Sequence, residues 1–145
     1  MNGNFVTFID PSPMEDKKYI KRLLREMIPL KKMWGGLATV KIGDDEELMD
    51  LCAESGCKGL LIGFESVEQD ALVEINKGFN VVEKYRNLCT RLHERGIAIN
   101  GTFIFGMDSD TKDTFRRTVD FVQENAIELP LSLIHISEPT RLRRI

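Results

Sequence analysis

Short apolar runs alternate with amphipathic stretches along this chain, and this alternation is the feature that most constrains its fold. Strand-like runs occupy residues 5–9, 37–42, 60–64 and 97–105. Between them, apolar residues recur at the spacing of a helix face. Strands that are separated by helical crossovers form parallel sheets. The sequence therefore predicts an α/β fold with parallel strands.

Local signals place the ends of the intervening helices. Ser12, Pro13 and Glu15 have the pattern of a capping box, which predicts the start of the first helix. Asp44 with Glu47 predicts the start of the second helix, which glycine 56 would close. Apolar residues then stripe a long third helix, and a last helix presents an apolar face. The third stripe consists of Val81, Val82, Tyr85, Leu88, Cys89 and Leu92, and the last face of Phe115, Val119 and Val122.

The two faces of each predicted strand differ in character. Leu60, Ile62 and Phe64 share one face of their strand, whereas the opposite face, smaller or more polar overall, carries Leu61, Gly63 and Glu65. A doubly wound sheet is usually apolar on both faces, so a polar second face favours the inside of a barrel that holds a polar ligand. A closed eight-fold barrel needs about 250 residues. With 145 residues, the chain is predicted to be a slice of a larger barrel.

Composition excludes several classes of protein. The formal net charge is −3, which argues against sequence-independent binding of nucleic acid. No apolar run approaches the roughly 20 residues that span a bilayer, and residues 1–4 do not begin a secretory signal. The three cysteines form no disulfide framework. We therefore expect a soluble protein in a reducing, cytoplasmic setting.

Three carboxylates follow predicted strands: Asp10, Glu65 and Asp108. Ligands of parallel α/β proteins bind at the carboxyl ends of the strands, which makes these side chains candidates for a binding site. Alternatively, each carboxylate caps the helix or turn that follows it. Glu65 is poorly suited to capping, because it comes directly after an apolar strand.

Two other features carry weaker signals. Gly101 and Gly106 lie within and at the end of a strand, so they do not form a dinucleotide fingerprint. A glycine within a strand marks either close approach of a ligand or a bend of the strand. Cys52, Cys57 and Cys89 have no metal-site spacing, and two of them fall on apolar helix faces, which predicts buried small side chains. We predict no metal site and assign no catalytic residue.

Several short segments of the sequence, taken in order, form a recognisable set. They read FIDP at 8–11, WGGLAT at 34–39, SGC at 55–57, GFES at 63–66, NKGFN at 76–80, HERGI at 93–97, GTFIFGMD at 101–108 and DT at 110–111. This set resembles the catalytic core of radical S-adenosylmethionine enzymes. The resemblance covers roughly residues 4–130 and is closest to the group associated with cobalamin-binding domains and hopanoid biosynthesis.

The resemblance implies a partial (β/α)6 barrel, of which residues 1–130 form the second to the fifth or sixth strand. It also implies a [4Fe–4S] cluster that cleaves S-adenosylmethionine to a 5′-deoxyadenosyl radical for hydrogen abstraction or methyl transfer. Cobalamin is a possible further cofactor. The implied partners are a small-molecule or lipid-like substrate and an electron donor such as flavodoxin or ferredoxin.

The same resemblance assigns cofactor-binding roles to particular residues. Asp10 matches a position near the methionine amino group, although the family has a glutamate there. Glu65 and Ser66 match the end of the fourth barrel strand, near the methionine and ribose. The fifth-strand motif, which packs along the adenine, corresponds to Gly101, Ile104 and Gly106.

Two departures from the family pattern qualify this interpretation. The family holds its cluster with a Cys-x3-Cys-x2-Cys loop, which this sequence lacks. We therefore expect a fragment that is inactive alone, with its cluster ligands in a preceding segment. Residues 131–145 resemble the translation of a sequencing adapter and are predicted to be a non-native tail, the alternative being a genuine basic tail. The remaining alternatives for the whole chain are a non-redox barrel fragment that binds a small polar metabolite and an interaction module.

Overall fold

A computed structural model describes residues 4–10, 14, 16–78 and 80–134. This part of the chain contains five strands and five α-helices, with one helix between successive strands except for the two between the third and the fourth strand. Short 3-10 turns occupy Ile28–Leu30, Val40–Asp44 and Val82–Lys84. The elements are β1 (Phe5–Thr7), α1 (Lys17–Met27), β2 (Met33–Thr39), α2 (Glu46–Glu54), β3 (Cys57–Glu65), α3 (Gln69–Glu74), α4 (Tyr85–Glu94), β4 (Ala98–Phe105), α5 (Thr114–Glu124) and β5 (Leu129–Ile134).

The five described strands form one parallel sheet in the order β1-β2-β3-β4-β5. Each strand therefore lies beside the strand that precedes it in the sequence. A doubly wound sheet would instead reverse its strand order at a switch point. The sheet is a curled half-barrel, which confirms the predicted α/β fold and partial barrel.

The predicted difference between the two faces of the sheet is also confirmed. Leu60, Ile62 and Phe64 of β3 are completely buried against the helices. Their neighbours Leu61 and Gly63 point to the opposite face and are half-buried. Burying a side chain of this size stabilises the fold by about 1.5–3 kcal/mol. The helix layer therefore anchors β3, and its other face remains open as the inside of the half-barrel.

An aromatic cluster lies beneath the carboxyl end of β3, on the helix side. The ring of Phe64 meets those of Tyr85 and Phe103 at centroid distances of 4.9 and 5.7 Å. Phe121 of α5 contacts the same three rings. Aromatic pairs with this geometry stabilise by about 0.5–1.5 kcal/mol beyond the area they bury. The cluster therefore fixes the point at which β3 ends.

The prediction for the second strand was wrong at both ends. β2 begins at Met33, and the residues after Thr39 form a 3-10 turn instead of continuing the strand. Gly35 and Gly36, which precede the predicted strand, lie in β2 because neighbouring parts of the chain approach closely there. A Cβ on Gly35 would lie 3.2 Å from the carbonyl oxygen of Gly59, and one on Gly36 would lie 3.2 Å from Cβ of Phe8.

Two helix starts also differ from the prediction. Asp45, not Asp44, caps α2, because its carboxylate accepts from the backbone N–H of Leu48 at 3.1 Å. The capping box at residues 12, 13 and 15 lies outside the described residues. The side chain that caps α1 is Asp16, which accepts from the N–H of Tyr19 at 2.9 Å. Helix α3 was not predicted.

The predicted last helix is present as α5, but of the three apolar residues that mark it only Val122 packs against the core. Phe115 and Val119 are 58% and 52% exposed, whereas Thr114 and Thr118 of the same helix are buried. The threonines are tolerated because the hydroxyl of Thr118 donates to the carbonyl of Thr114 at 2.9 Å. The apolar residues therefore predicted helix α5 correctly but not which of its side chains are buried.

Candidate functional site

Glu65 ends β3 in a backbone conformation that its neighbours do not share. The pairing of β3 with β4 shifts register between Gly63 and Glu65, and the φ of Glu65 is 67°. A non-glycine residue in this left-handed region carries roughly 1–2 kcal/mol of strain. Such strain persists where the surrounding structure determines the conformation, which is characteristic of ligand sites.

This conformation lays the Glu65 carboxylate over Gly63 on the open face of the sheet. A Cβ placed on Gly63 would lie only 2.6 Å from Oε1 of Glu65 and 3.7 Å from Oγ1 of Thr102. The side chain of Glu65 is 14% exposed. Glycine at position 63 therefore provides the space that the carboxylate occupies.

Lys77 is the partner of this carboxylate. Its Nζ lies 3.2 Å from Oε1 of Glu65, and its side chain is 41% exposed. The two residues are brought together by α3, which reverses the chain between them. The sequence pattern did not identify Lys77 as a site residue, although Asn76-Lys77-Gly78 lies in one of the segments that carry the resemblance. The chain thus presents an anion and a cation side by side at the carboxyl edge of the sheet.

Ser66 is 3% exposed and lies directly after Glu65. Its Oγ accepts from the N–H of Glu68 at 3.0 Å, which begins the turn into α3. This bond explains the serine locally. A contact between Ser66 and a cofactor stays a prediction.

The loop after β4 is fixed by two carboxylates. The N–H groups of Gly106 and Met107 donate to Oδ2 of Asp110 at 2.8 and 3.0 Å. Gly106 has a φ of 95°, which a residue with a side chain rarely adopts. The turn therefore has a single backbone path beside the end of β4, and Gly106 is needed for it.

Helix α3 holds the next residues of the same loop. Glu74 accepts from the N–H groups of Asp108 and Ser109 at 3.0 and 3.1 Å. The alternative that Asp108 caps α5 is wrong, because the residue at the N-cap is Asp113. Asp108 is exposed at the rim of the sheet, and its place in a binding site stays a prediction.

The remaining residues of the fifth-strand motif lie on opposite faces. Ile104 belongs to the open face, whereas Gly101 faces the helix layer. A Cβ on Gly101 would lie 3.2 Å from the ring of Phe64 and 3.3 Å from Cγ2 of Ile127. Close packing of side chains therefore accounts for the glycine, and contact of Gly101 with an adenine remains a prediction.

Asp10 follows β1 and is exposed. Strand order places β2 between β1 and β3, so Asp10 lies two strands away from Glu65 along the same edge. The structure therefore brings together Glu65, Ser66 and the newly found Lys77, with Ile104 and Gly106 on the neighbouring strand. A contact between Asp10 and a cofactor stays a prediction.

The three cysteines are buried, which confirms the predicted packing role of Cys52 and Cys89. Burial raises the pKa of all three thiols, for Cys57 to about 12 and for Cys89 to about 11. The cysteines lie on three different elements, α2, β3 and α4, and not in one loop, so they lack the spacing of cluster ligands. These cysteines do not fit a [4Fe–4S] cluster. Within residues 4–10, 14, 16–78 and 80–134, no group of three metal-binding side chains is present.

The arrangement suits binding more than bond-making chemistry. A carboxylate accepts hydrogen bonds from hydroxyl or ammonium groups, and an ammonium group binds a carboxylate; such charge-assisted bonds are about twice as strong as neutral ones. The inner face of the sheet beside Glu65 and Lys77 is open, and the side chains on it are half-buried. A polar ligand with hydroxyl and carboxylate groups would match this edge. Within the part of the chain described, no helix is long and apolar enough to span a membrane.

The sequence matches the family model described as the Radical SAM superfamily over residues 2–122. It is 37% identical over 125 residues to a bacteriochlorophyllide d C-12(1)-methyltransferase of Chlorobaculum tepidum, covering 86% of this chain and 27% of that protein. It is 24% identical over 130 residues to the hopanoid C-2 methylase of Rhodopseudomonas palustris, covering 86% and 25%. The chain thus spans about a quarter of the length of these curated relatives.

Among solved structures, the fold is similar to the radical S-adenosylmethionine methyltransferase TsrM of Kitasatospora setae, which was determined with cobalamin and a [4Fe–4S] cluster bound. The TM-score is 0.78 at 21% sequence identity, and the match covers 90% of this chain and 27% of that one. At this identity, the likeness supports the fold alone.

Proposed function

Because the chain belongs to the radical SAM superfamily, we propose that it forms part of the S-adenosylmethionine site of a larger methyl-transferring or hydrogen-abstracting enzyme. The observation that carries this proposal is the Glu65–Lys77 pair on the open face of the half-barrel. The substrate of the whole protein is proposed to be a small or lipid-like molecule, by analogy with its relatives.

The two charges match complementary parts of S-adenosylmethionine. Glu65 accepts hydrogen bonds from the ribose hydroxyls or the ammonium group, while Lys77 binds the methionine carboxylate. Each charge-assisted bond stabilises the bound state by about 1.5–3 kcal/mol. The ion pair between the two side chains loosens as the ligand takes its place, and the half-exposed position of Lys77 allows that movement.

The adenine lies on the open face beside Ile104, between the carboxyl ends of β3 and β4. Gly106 and the loop held by Asp110 and Glu74 close this end of the groove. When bound, S-adenosylmethionine supplies a methyl group or, after reductive cleavage, a carbon-centred radical. The residues of this chain bind and orient the ligand for that chemistry.

The redox part of the reaction lies outside these residues. Since Cys52, Cys57 and Cys89 do not fit a [4Fe–4S] cluster, the cluster is proposed to be held by a segment that this sequence does not include. Cobalamin and an electron donor such as flavodoxin or ferredoxin are proposed for the whole protein, and no residue here is assigned to them.

Titration of the isotope-labelled chain with S-adenosylmethionine, followed by amide NMR spectra, tests the proposal. The expected shifts concentrate at Glu65, Lys77, Ile104 and Gly106. Lys77→Met should weaken binding at least ten-fold, whereas Lys58→Met, at the opposite end of β3, should leave it unchanged. Shifts that are absent, or that fall away from this edge, would exclude the site.

A further inference from the structure

The carbonyl of Phe64, the residue directly before Glu65, accepts two hydrogen bonds. The buried hydroxyl of Tyr85 donates to it at 2.9 Å, and the N–H of Ser66 donates to it at 2.9 Å. The two donors bracket Glu65 from the helix side and from the chain that follows. A carbonyl held in this way cannot rotate freely, so the dihedral angles on either side of it are restricted.

Tyr85 has the properties of a fixed donor. It is 1% exposed at the start of α4, and its ring packs against those of Phe64 and Phe121. Burial raises the pKa of its hydroxyl well above the ordinary value of 10.0, so the proton remains in place at any working pH. The hydrogen bond from Tyr85 therefore links the first residue of α4 to the carboxyl end of β3.

Tyr85 is also connected through the chain to Lys77. The loop between α3 and α4 is clipped by Gln69, whose Nε2 donates to the carbonyl of Asn80 at 3.0 Å and whose Oε1 accepts from the N–H of Val82 at 3.3 Å. The N–H of Asn80 donates to the carbonyl of Lys77 at 2.8 Å. The loop that carries the cation is thus tied to the residue that fixes the anion.

We propose that Tyr85 is a positioning residue, whose hydroxyl holds Glu65 in its strained conformation and thereby keeps the carboxylate over Gly63, ready for the ligand. This inference rests on the proposed function for the identity of the ligand. Nothing in the aromatic packing of Tyr85 requires a hydroxyl, since phenylalanine would fill the same space. The hydroxyl is present because the carbonyl of Phe64 needs a second donor where the strand leaves its regular pairing.

Tyr85→Phe separates the hydroxyl from the ring. Hydrogen exchange measures its effect without any ligand: the amides of Ser66 and Glu68, which form the turn after Glu65, should exchange at least ten-fold faster in the variant. The amide of Ile62, in the middle of β3, should change far less. Tyr19→Phe, at an exposed tyrosine, is the matched control and should change none of the three. Uniform acceleration of all three amides, or none, would overturn the positioning role.

Binding of S-adenosylmethionine gives the second measurement. Tyr85→Phe should weaken binding about ten-fold in the wild-type background and have no further effect in a Glu65→Gln background, because the hydroxyl acts through that carboxylate. A tyrosine with only a structural role would weaken both backgrounds equally. If the wild-type chain binds no S-adenosylmethionine, the proposed function fails and the exchange measurement alone decides whether Tyr85 positions Glu65. If it binds and Tyr85→Phe binds equally well, the inference fails and the proposed function stands.

Discussion

Replacing Gly63 by alanine is expected to displace the Glu65 carboxylate and leave the fold intact. The new Cβ would lie 2.6 Å from Oε1 of Glu65, so the oxygen must retreat by about 0.8 Å to reach an ordinary contact at 3.4 Å. The oxygen is at the end of a side chain that can rotate, whereas Gly63 lies in a strand that cannot. The carboxylate is therefore the group that moves.

The expected magnitudes differ sharply for stability and for binding. Gly63 has no left-handed φ, so alanine there lowers the entropy of the unfolded chain and favours folding by about 0.4–1 kcal/mol. Loss of the half-exposed pair with Lys77 opposes this by about 0.2–1 kcal/mol. The free energy of unfolding should thus stay within about 1 kcal/mol. Losing one charge-assisted bond to the ligand costs about 1.5–3 kcal/mol, or roughly ten-fold to over a hundred-fold in affinity.

Gly59→Ala is the matched control, since it makes the same change on the same face of β3. Its Cβ would meet the carbonyl oxygen and Cβ of Ala98 at 3.5 and 3.7 Å, which are ordinary contacts. Thermal melts and titration with S-adenosylmethionine compare the two variants. The reasoning is refuted if Gly63→Ala binds as well as Gly59→Ala, or if Gly63→Ala alone loses many degrees of thermal stability.

Four further predictions concern the thiols, which have two, the helix cap and the tail. Anaerobic treatment with iron and sulfide should leave less than one cluster per chain by iron and sulfide analysis, and one stable cluster per chain would contradict the assignment of the cysteines. Burial raises the pKa of Cys89 from its ordinary 9.0 to about 11, so near pH 9 the thiol loses its proton only in the unfolded chain. The free energy of unfolding, measured by urea denaturation, should therefore fall between pH 9 and 11. In Cys89→Ala the free energy of unfolding should fall less steeply over the same range. Asp45→Ala should cost about 1–2 kcal/mol, since it removes the α2 cap and an ion pair with Lys21 at 2.8 Å; Asp44→Ala should cost almost nothing, and equal thermal shifts would refute the cap assignment. A chain that ends at Pro130 loses the pairing of residues 131–134 with β4 but should still melt no lower than the full chain, because the side chains of Leu131 and Leu133 are 40% and 62% exposed and contribute little burial. A drop of many degrees would show that the tail is native structure.

The sequence predicted the parts of the fold that depend on a simple period. Alternate residues of β3 and β4 are buried as expected, because a strand between helices and an open groove must alternate in this way. The start of β2 was not predictable from propensity, since Gly35 and Gly36 are in a strand for reasons of close packing with neighbours far along the chain. The boundary predicted at residue 130 lies within β5, which pairs with β4 on both sides of that point, and the boundary stays a prediction.

The candidate site was predicted only in part. Glu65 was identified because an acidic residue directly after an apolar strand has no helix to cap. Its positive φ and its bulge leave no signature in the sequence. Lys77 was missed because α3, only six residues long, has too few positions to show a helical period, and without that helix nothing brings residue 77 back to the strand.

Gly63 makes room for the Glu65 carboxylate, Lys77 pairs with it and Tyr85 holds the preceding carbonyl. These residues all belong to one contiguous stretch, from Gly63 to Tyr85. Thr102, on β4, approaches from elsewhere, since its Oγ1 would lie 3.7 Å from a Cβ on Gly63. A site assembled from so short a stretch is inherited as a unit, since recombination between related genes would separate its members only if the exchange fell within those 23 residues. Such a stretch is also suited to exchange between homologous barrels as one segment, because Gly63, Glu65, Lys77 and Tyr85 would be transferred together.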